Sequence, residues 1–325
     1  MCKRKTNNLK KKLTFVLLFI IITIGVCGYI AGNSILPYSI IKPHRISENL
    51  SPDSLNLKSS NIDIKVDENI NLKGYWIQST QDETKAIMIL LHGIGGCKEH
   101  FLGLAKKLAN KGIATIVFDS RAHGKSGGEY CTYGYKEKKD ISKIINYIKS
   151  KAPVLPIGIW GNSMGGAIAI QALEEDKRLD FGIIESTFTA LDQIVYDYQK
   201  RHLKGIGVKI LTDFALKRAG EIGDFDPDMV KPINSVKNIE QPVLISHGDS
   251  DENISFHYGK ALFDELKSKH KKFIKVKGGG HYDLSSKGGL NYNQTIFDFI
   301  ENSIEKSLHI TTPINNTGFG ALSQV

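Results

Sequence analysis

Continuous apolar runs alternate along this chain with segments in which apolar residues recur every three or four positions. The runs at 86–91, 157–160 and 181–184 carry no charge, which is typical of parallel strands covered on both faces. The intervening periodicity predicts amphipathic helices. Their apolar faces are formed by Phe101, Leu104, Ala105 and Leu108, by Ile141, Ile144, Ile145 and Ile148, and by Ile296, Phe297, Ile300 and Ile304. The pattern predicts an α/β fold.

The folded part opens with two further strand-like segments, 61–66 and 71–77, on either side of a turn at Glu68 and Asn69. This arrangement predicts an antiparallel hairpin. At the other end of the chain, 308–325 shows no periodicity, and we predict a loose tail there.

The longest apolar segment lies near the N-terminus. Residues 13–32, twenty in all, contain no charge, and a helix of that length spans about 30 Å, the thickness of the hydrocarbon layer of a bilayer. A basic cluster precedes it and predicts that the N-terminus stays in the cytoplasm while the rest of the chain lies across the membrane. We predict an uncleaved signal anchor. The alternative is a signal peptide cleaved near Cys27, followed by secretion.

These features divide the chain into five predicted parts: a basic cytoplasmic segment at 1–12, the signal anchor at 13–32, a linker at 33–60, one folded domain at 61–307 and the tail at 308–325. A domain of that size is ordinary. The net charge is +9, but six of the positive charges lie in the first twelve residues. The domain therefore lacks the basic face that binding to nucleic acid requires.

A candidate nucleophile stands in the sequence Gly-Asn-Ser-Met-Gly at 161–165, between an apolar run and a helical segment. In such a G-x-S-x-G turn, glycines remove side chains that would clash as the strand folds back into the helix, and the hydroxyl of Ser163 is exposed. The Met164 N–H then lies at a helix start, where it can stabilise an oxyanion. The alternative interpretation is a glycine-rich turn with an incidental serine.

A serine nucleophile needs a base and a carboxylate that orients it, in the chain order Ser, Asp or Glu, His. After Ser163, one apolar strand ends in an acidic turn with Asp249 and Asp251, and the next strand ends in a glycine turn before His281. Both turns follow the C-terminal ends of strands, where open α/β sheets place catalytic groups. We predict His281 as the general base, with either aspartate as its partner.

The apolar run at 86–91 ends in His-Gly-Ile-Gly-Gly at 92–96. Loops of this type supply a second oxyanion donor, which we assign to the Ile94 N–H. His92 is an alternative base, but it precedes Ser163 and breaks the expected order. We expect His92 to fix the loop by hydrogen bonds.

Four segments resemble landmarks of the α/β-hydrolase family: LLHGIGG at 90–96, FDSRAHGKSGG at 118–128, GNSMG at 161–165 and PVLISHGDSDENIS at 242–255. The nearest branches are the monoacylglycerol-lipase-like and acyl-protein-thioesterase-like ones. The resemblance covers about 61–304 and implies an α/β-hydrolase fold, a mostly parallel sheet with helices on both faces. It also implies a helical lid, which we place at about 187–239.

The resemblance also assigns residues. The family's acid stands three positions after the His-Gly pair, which selects Asp251 over Asp249. Ser255 stands where the family usually has proline, and Ala122 where it usually has glycine; neither change touches the carboxylate.

Four other charged residues have structural interpretations. Asp119, Arg121 and His123 are expected to brace a loop beside the active site, as the resemblance implies. Glu185, at the end of an apolar run, could touch substrate, but we expect a polar strand end beside the lid.

The predicted function is that of a serine hydrolase that cleaves carboxylic ester or thioester bonds of medium-to-long acyl substrates through an acyl-enzyme. An amphipathic lid near a membrane favours a lipid-like substrate, although the same pattern fits helices packed on the core. The alternatives are a serine exopeptidase of the same fold and a catalytically inactive, membrane-tethered binding protein. No cofactor and no metal are expected, and Cys97 and Cys131 are expected to be unpaired, although export would permit a disulfide.

Overall fold

A computed structural model describes residues 2–311. The chain folds around one eight-stranded sheet with the order β1-β2-β4-β3-β5-β6-β7-β8. The strands are β1 Ser59–Asp67, β2 Ile70–Ile77, β3 Ala86–Leu91, β4 Ile113–Phe118, β5 Ile157–Asn162, β6 Phe181–Glu185, β7 Val243–Gly248 and β8 Lys271–Val276. The pairs β1–β2 and β2–β4 are antiparallel, and the five other pairs are parallel. The predicted hairpin and the mostly parallel sheet are confirmed.

The helices connect the strands. They are α1 Cys2–Ile30, α2 Leu36–Ile41, α3 Leu102–Ala109, α4 Glu137–Lys151, α5 Met164–Glu175, α6 Leu191–His202, α7 Lys209–Gly223, α8 Pro232–Ser235, α9 Phe256–Glu265 and α10 Leu284–Thr311. A π-helical turn spans Ala31–Ile35, and short 3₁₀ segments lie at Asp53–Leu55, Lys98–Phe101, Pro227–Met229 and Val236–Asn238. α10 is interrupted at Gly289, whose φ is +62°.

The sheet has a hydrophobic core on each face. Ile87 and Ile89 of β3 point into one core, which includes the predicted apolar face of α4, and Met88 and Leu90 point into the other, which includes the faces of α3 and α10. Side chains of a strand alternate between its two faces, so an apolar run such as β3 needs helices on both sides. The predicted helix faces are therefore buried where the periodicity placed them.

The N-terminal helix continues through the π-helical turn into α2. Within the described residues, one stretch, Lys10–Ile41, is long and apolar enough to cross a membrane. Part of the predicted linker at 33–60 belongs to this stretch, and Ile40 and Ile41 are buried against the folded domain. At the other end, α10 extends to Thr311, so 308–311 are helical; the rest of the predicted tail lies outside the described residues.

The predicted lid region between β6 and β7 is helical. It consists of α6, α7, α8 and two short 3₁₀ segments. Ala215, Leu216 and Ala219 of α7 are buried, whereas Ile210 and Phe214 are exposed. One face of α7 therefore packs on the protein, as a core helix does, and another is open to the surroundings.

Candidate active site

Ser163 lies on the turn that joins β5 to α5. Its φ is +54°, in a region that non-glycine residues rarely adopt and that stores backbone strain. The neighbouring glycines make the turn possible. A Cβ on Gly161 would lie 2.2 Å from the Gly165 carbonyl oxygen, and one on Gly165 would lie 2.2 Å from that of Leu91. The structure thus has the sharp strand-to-helix turn that the sequence predicts.

Neighbouring strand ends hold the backbone of Ser163. Its N–H donates to the carbonyl oxygen of Glu185 at 2.9 Å, and the Thr187 hydroxyl donates to its carbonyl oxygen at 2.7 Å. The Glu185 carboxylate accepts hydrogen bonds from Trp160 and Tyr292. Burial raises the pKa of Glu185 against the opposing effect of these bonds. Glu185 is therefore a half-buried polar residue at the end of β6 whose backbone holds Ser163, in agreement with the structural interpretation.

The structure brings His281 together with Asp251. The Nδ1 of His281 donates a hydrogen bond of 2.8 Å to Oδ2 of Asp251. The other carboxylate oxygen accepts the N–H groups of Asn253 and Ile254 at 2.8 and 2.9 Å. Asp249 lies elsewhere on the same turn, where its carboxylate accepts the N–H of Gly278 at 2.6 Å. Of the two candidates, Asp251 is therefore the aspartate that contacts the histidine.

A second histidine that the sequence analysis did not single out also contacts this carboxylate. His247 Nε2 lies 3.4 Å from Asp251 Oδ2 and donates to the Ile254 carbonyl oxygen at 2.8 Å. Burial of Asp251 opposes its ionisation, but hydrogen bonds from His247 and His281 outweigh it and lower the pKa of the carboxyl group. Asp251 is therefore ionised at neutral pH. The sequence analysis used His247 only as part of the His-Gly pair that locates Asp251, four residues later.

The loop at 92–96 approaches Ser163 directly. A Cβ on Gly93 would lie 3.2 Å from the Ser163 Cβ, so glycine permits this close approach. The Ile94 N–H has no acceptor among the described residues. Met164 begins α5, and the first N–H groups of a helix lack partners within the helix. Among the residues that the structure describes, neither predicted oxyanion donor has a backbone acceptor.

His92 fixes this loop. Its Nδ1 donates to the Gly93 carbonyl oxygen at 2.8 Å, and its Nε2 accepts the Ser120 N–H at 3.0 Å. Burial, followed by the adjacent His123, lowers the pKa of His92 to about 3. The ring is therefore neutral near pH 7 and has both nitrogens occupied. This confirms the expectation that His92 holds the loop.

The charged residues at 119–123 brace the neighbouring loop. Asp119 accepts hydrogen bonds from the Lys98 N–H and ammonium, both at 2.8 Å. Arg121 makes a bidentate pair with Asp140 at 2.7 and 2.6 Å. All four side chains are buried, so these charges are satisfied internally, as the resemblance implied.

Ser163 lines a cavity of about 430 Å³. Its lining includes one residue of the lid, Tyr198, and Tyr282, which follows His281. The other lining residues are His92, Gly93, Ile94, Gly95, Gly96, His100, Phe101 and Asn162. None of these described lining residues is acidic.

Cys97 and Cys131 are both buried and, as expected, both free thiols. Burial raises the pKa of each, so neither is a ready nucleophile. Within the part of the chain that the structure describes, no group of three or more His, Cys, Asp or Glu residues could hold a metal ion.

Comparison with known proteins gives consistent results. The model of the family described as "Serine aminopeptidase, S33" matches residues 82–221. The uncharacterized protein YqkD of Bacillus subtilis is 27% identical over 237 residues, which cover 71% of this chain and 76% of that protein. Lysophosphatidylserine lipase ABHD12 of Mus musculus is 26% identical over 206 residues, 58% of this chain and 47% of that protein. This chain therefore spans about half the length of that lipase.

Among solved structures, the esterase Pf2001 of Pyrococcus furiosus superimposes with a TM-score of 0.67 at 24% sequence identity. The match covers 81% of this chain and 98% of the esterase. At that identity the similarity establishes the fold, which is the α/β-hydrolase fold that the sequence landmarks implied.

Proposed function

Because this chain is a serine hydrolase with the α/β-hydrolase fold, of the esterase and lipase type, we propose that it cleaves carboxylic ester or thioester bonds of acyl substrates through an acyl-enzyme. The observation that carries the proposal is the hydrogen bond from His281 to Asp251, with the next residue, Tyr282, lining the cavity of Ser163. This arrangement supports Ser163 as nucleophile, His281 as general base and Asp251 as the carboxylate that orients it.

In the proposed mechanism, the Ser163 hydroxyl attacks the acyl carbonyl carbon while Nε2 of His281 takes its proton. Asp251 stabilises the resulting imidazolium. The N–H groups of Ile94 and Met164 donate to the oxyanion, each worth about 3 to 4 kcal/mol. His281 then protonates the departing alcohol or thiol, and a water molecule, deprotonated by His281, hydrolyses the acyl-enzyme and restores Ser163.

The description of the matching family favours an aminopeptidase as the second candidate. Such an enzyme has to bind the ammonium group of a peptide N-terminus, for which a carboxylate is the natural partner. The described residues that line the cavity of Ser163 include no Asp or Glu. The composition of the cavity therefore favours an uncharged ester or thioester over a peptide N-terminus.

We further propose that the N-terminal helix is an uncleaved anchor. The ring of Tyr29, near its end, lies 6.1 Å from that of Phe214 of the lid, centroid to centroid. Cleavage near Cys27 would leave that packing at a free chain end. With the basic cluster retained in the cytoplasm, the hydrolase domain would lie on the other side of the membrane.

The test is hydrolysis of p-nitrophenyl esters from acetyl to palmitoyl by the full-length protein in detergent, with Ser163→Ala as the control. We expect activity that falls by about 10⁴- to 10⁶-fold in the variant. Aminoacyl p-nitroanilides, assayed in parallel, test the aminopeptidase. Equal ester hydrolysis by both proteins would contradict the proposal, and activity on neither substrate class would favour the inactive binding protein.

A further inference from the structure

A second cavity of about 730 Å³ adjoins the cavity of Ser163, a size typical of small-molecule sites. Ile94, Gly95 and Tyr198 line both cavities, so the second cavity starts where the acyl carbonyl of a substrate would be held. The lining of the second cavity is mainly apolar and includes Val195 and Leu211 of the lid. It is therefore suited to a hydrocarbon chain extending from an ester bound at Ser163.

One wall of this cavity comes from the residues that follow the apolar N-terminal helix, here called the connecting segment (31–44). Ala31, Leu36, Ile40 and Pro43 of this segment line the cavity. The second cavity is thus lined by two parts of the chain that are far apart in sequence, the lid and the connecting segment.

The connecting segment is held in place by hydrogen bonds to its backbone. The Tyr133 hydroxyl donates to the Ile40 carbonyl oxygen at 2.5 Å, and the Cys131 N–H donates to that of Ile41 at 2.8 Å. Just beyond the segment, Arg45 donates to four carbonyl oxygens of one loop. These bonds make the segment a fixed part of the domain.

The mouth of the cavity carries an exposed apolar surface. Leu203 lines the cavity and is 45% exposed, and the nearby Ile206 and Ile210 are 66% and 84% exposed. These three residues, here called the lid turn, lie at the end of α6 and the start of α7. Exposed apolar residues grouped in one turn are typical of an interaction site, and Lys204, which follows Leu203, is suited to a lipid headgroup region.

The lid turn lies beside the end of the apolar N-terminal helix. A Cβ on Gly32 would lie 2.6 Å from Phe214 Cδ1 and 3.0 Å from Leu211 Cδ1, so α7 packs directly on the turn that follows that helix. The apolar surface therefore lies next to the proposed anchor, which favours a lipid bilayer as the partner of this surface.

We propose that the second cavity binds the acyl chain of a bilayer lipid ester, that the connecting segment is its outer wall, and that the lipid enters from the membrane at the lid turn. This inference rests on the proposed ester hydrolysis at Ser163. It adds a substrate-binding role for residues that precede the hydrolase domain, and it explains why the anchor and the lid pack against each other.

The role of the connecting segment is tested by two adjacent residues. Leu36 lines the cavity, whereas Ile35 does not and is 59% exposed. We measure kcat/KM of the full-length protein for butyryl and palmitoyl p-nitrophenyl esters. Leu36→Trp is expected to lower the palmitoyl-to-butyryl ratio at least about tenfold, because a filled pocket rejects additional methylenes. Ile35→Trp is expected to keep the wild-type ratio.

A wild-type ratio in Leu36→Trp, or the same change in Ile35→Trp, overturns the inference. If Leu36→Trp loses activity on both esters, Leu36→Ala decides: it enlarges the cavity and is expected to raise the ratio, and an unchanged ratio overturns the inference. Failure of the proposed function is distinguishable, because wild-type hydrolysis would then equal that of Ser163→Ala.

Entry from the membrane is tested with phosphatidylcholine vesicles that carry a fluorogenic long-chain ester. Ile210→Asn changes the lid turn, and Leu290→Asn changes a residue of α10 that is 91% exposed. Only Ile210→Asn is expected to slow hydrolysis in vesicles, by about tenfold. It removes one aliphatic side chain that the membrane would bury. Both variants should hydrolyse the butyryl ester in solution at the wild-type rate. Equal vesicle rates for the two variants overturn membrane entry.

Discussion

Two neighbouring regions of this molecule are built in different ways. The rim that carries Ser163 and His281 is fixed by hydrogen bonds. His281 donates to the Asp251 carboxylate, the Ser163 N–H donates to a carbonyl oxygen at the end of β6, and a neutral histidine holds the loop at 92–96. The lid and the connecting segment instead meet through apolar side chains such as Leu36, Leu211 and Phe214. Hydrogen bonds have strict geometry, whereas apolar packing tolerates change of shape.

The difference separates two requirements of the proposed reaction. Reacting groups have to be held within a fraction of an ångström, which the rim does with hydrogen bonds. A site for flexible acyl chains needs volume and an apolar lining more than direction, which the lid supplies. A side chain of the lid also bonds to the rim: Arg201 of α6 donates to the Glu252 carbonyl oxygen at 2.6 Å and to Asn253 Oδ1 at 2.9 Å, next to Asp251.

The largest expected effect concerns the two aspartates of the acidic turn. Asp251→Asn is expected to lower kcat by about 10⁴-fold, because the His281 ring loses its orientation and the charge that stabilises it. Asp249→Asn is the matched control, since Asp249 bonds to Gly278 and Lys275. Steady-state hydrolysis of the butyryl ester measures both. Comparable losses of kcat in the two variants would show that the orientation of His281 does not depend on Asp251 in particular.

A second prediction tests how rigid the rim is. Gly165→Ala places a Cβ against the Leu91 carbonyl oxygen, and the resulting shift of Ser163 is expected to lower kcat/KM by about 10²-fold. Gly103→Ala on α3 is the control, because no atom lies within 4 Å of its Cβ position; it is expected to keep activity and gain up to about 1 kcal/mol of stability. If Gly165→Ala is fully active, the rim is more adaptable than its contacts imply.

The third prediction uses the neutral His92. In the unfolded chain its pKa is near 6.5, and in the folded protein it is about 3. Below pH 6.5 the unfolded state therefore binds a proton that the folded state does not, so the His92 contribution is complete above pH 6.5 and is lost as pH falls toward 3. The loss is about 2 kcal/mol between pH 6.5 and 5.

Urea unfolding at several pH values measures this effect. His92→Gln keeps an amide oxygen for the Ser120 N–H but has no titrating ring. The difference in free energy of unfolding between wild type and His92→Gln is expected to shrink as pH falls from 7 to 5. If the free energy of unfolding changes with pH in the same way in the two proteins, His92 is not the neutral histidine described above.

The smallest expected effect concerns the contact between the regions. Arg201→Ala removes both bonds to the acidic turn and is expected to lower kcat/KM by about two- to tenfold, about 1 kcal/mol for a charged hydrogen bond at the surface. Lys200→Ala, one residue earlier, removes a contact with the Tyr196 ring and packing near Gly207 but neither bond to the acidic turn, and it serves as the control. The same rate for both variants would mean that the lid and the rim act independently.

The sequence by itself determined the elements whose signal is local. The apolar run at 86–91 coincides with β3, and the predicted faces of α3, α4 and α10 are the buried ones, because side-chain periodicity is a property of each segment alone. The turn at Ser163 was predictable for the same reason, since its two glycines and the start of the following helix lie within five residues.

Tertiary structure decided the features that depend on residues far apart in the chain. Asp249 and Asp251 are two positions apart on one turn, and only the path of the chain from β8 brings His281 to Asp251. His247 reaches that carboxylate from the buried end of β7. The linker predicted at 33–60 includes Ile40 and Ile41, which are buried because α7, some 170 residues later in the chain, packs against them. No local sequence pattern indicates such contacts, because the surface that a segment packs against exists only after the chain has folded.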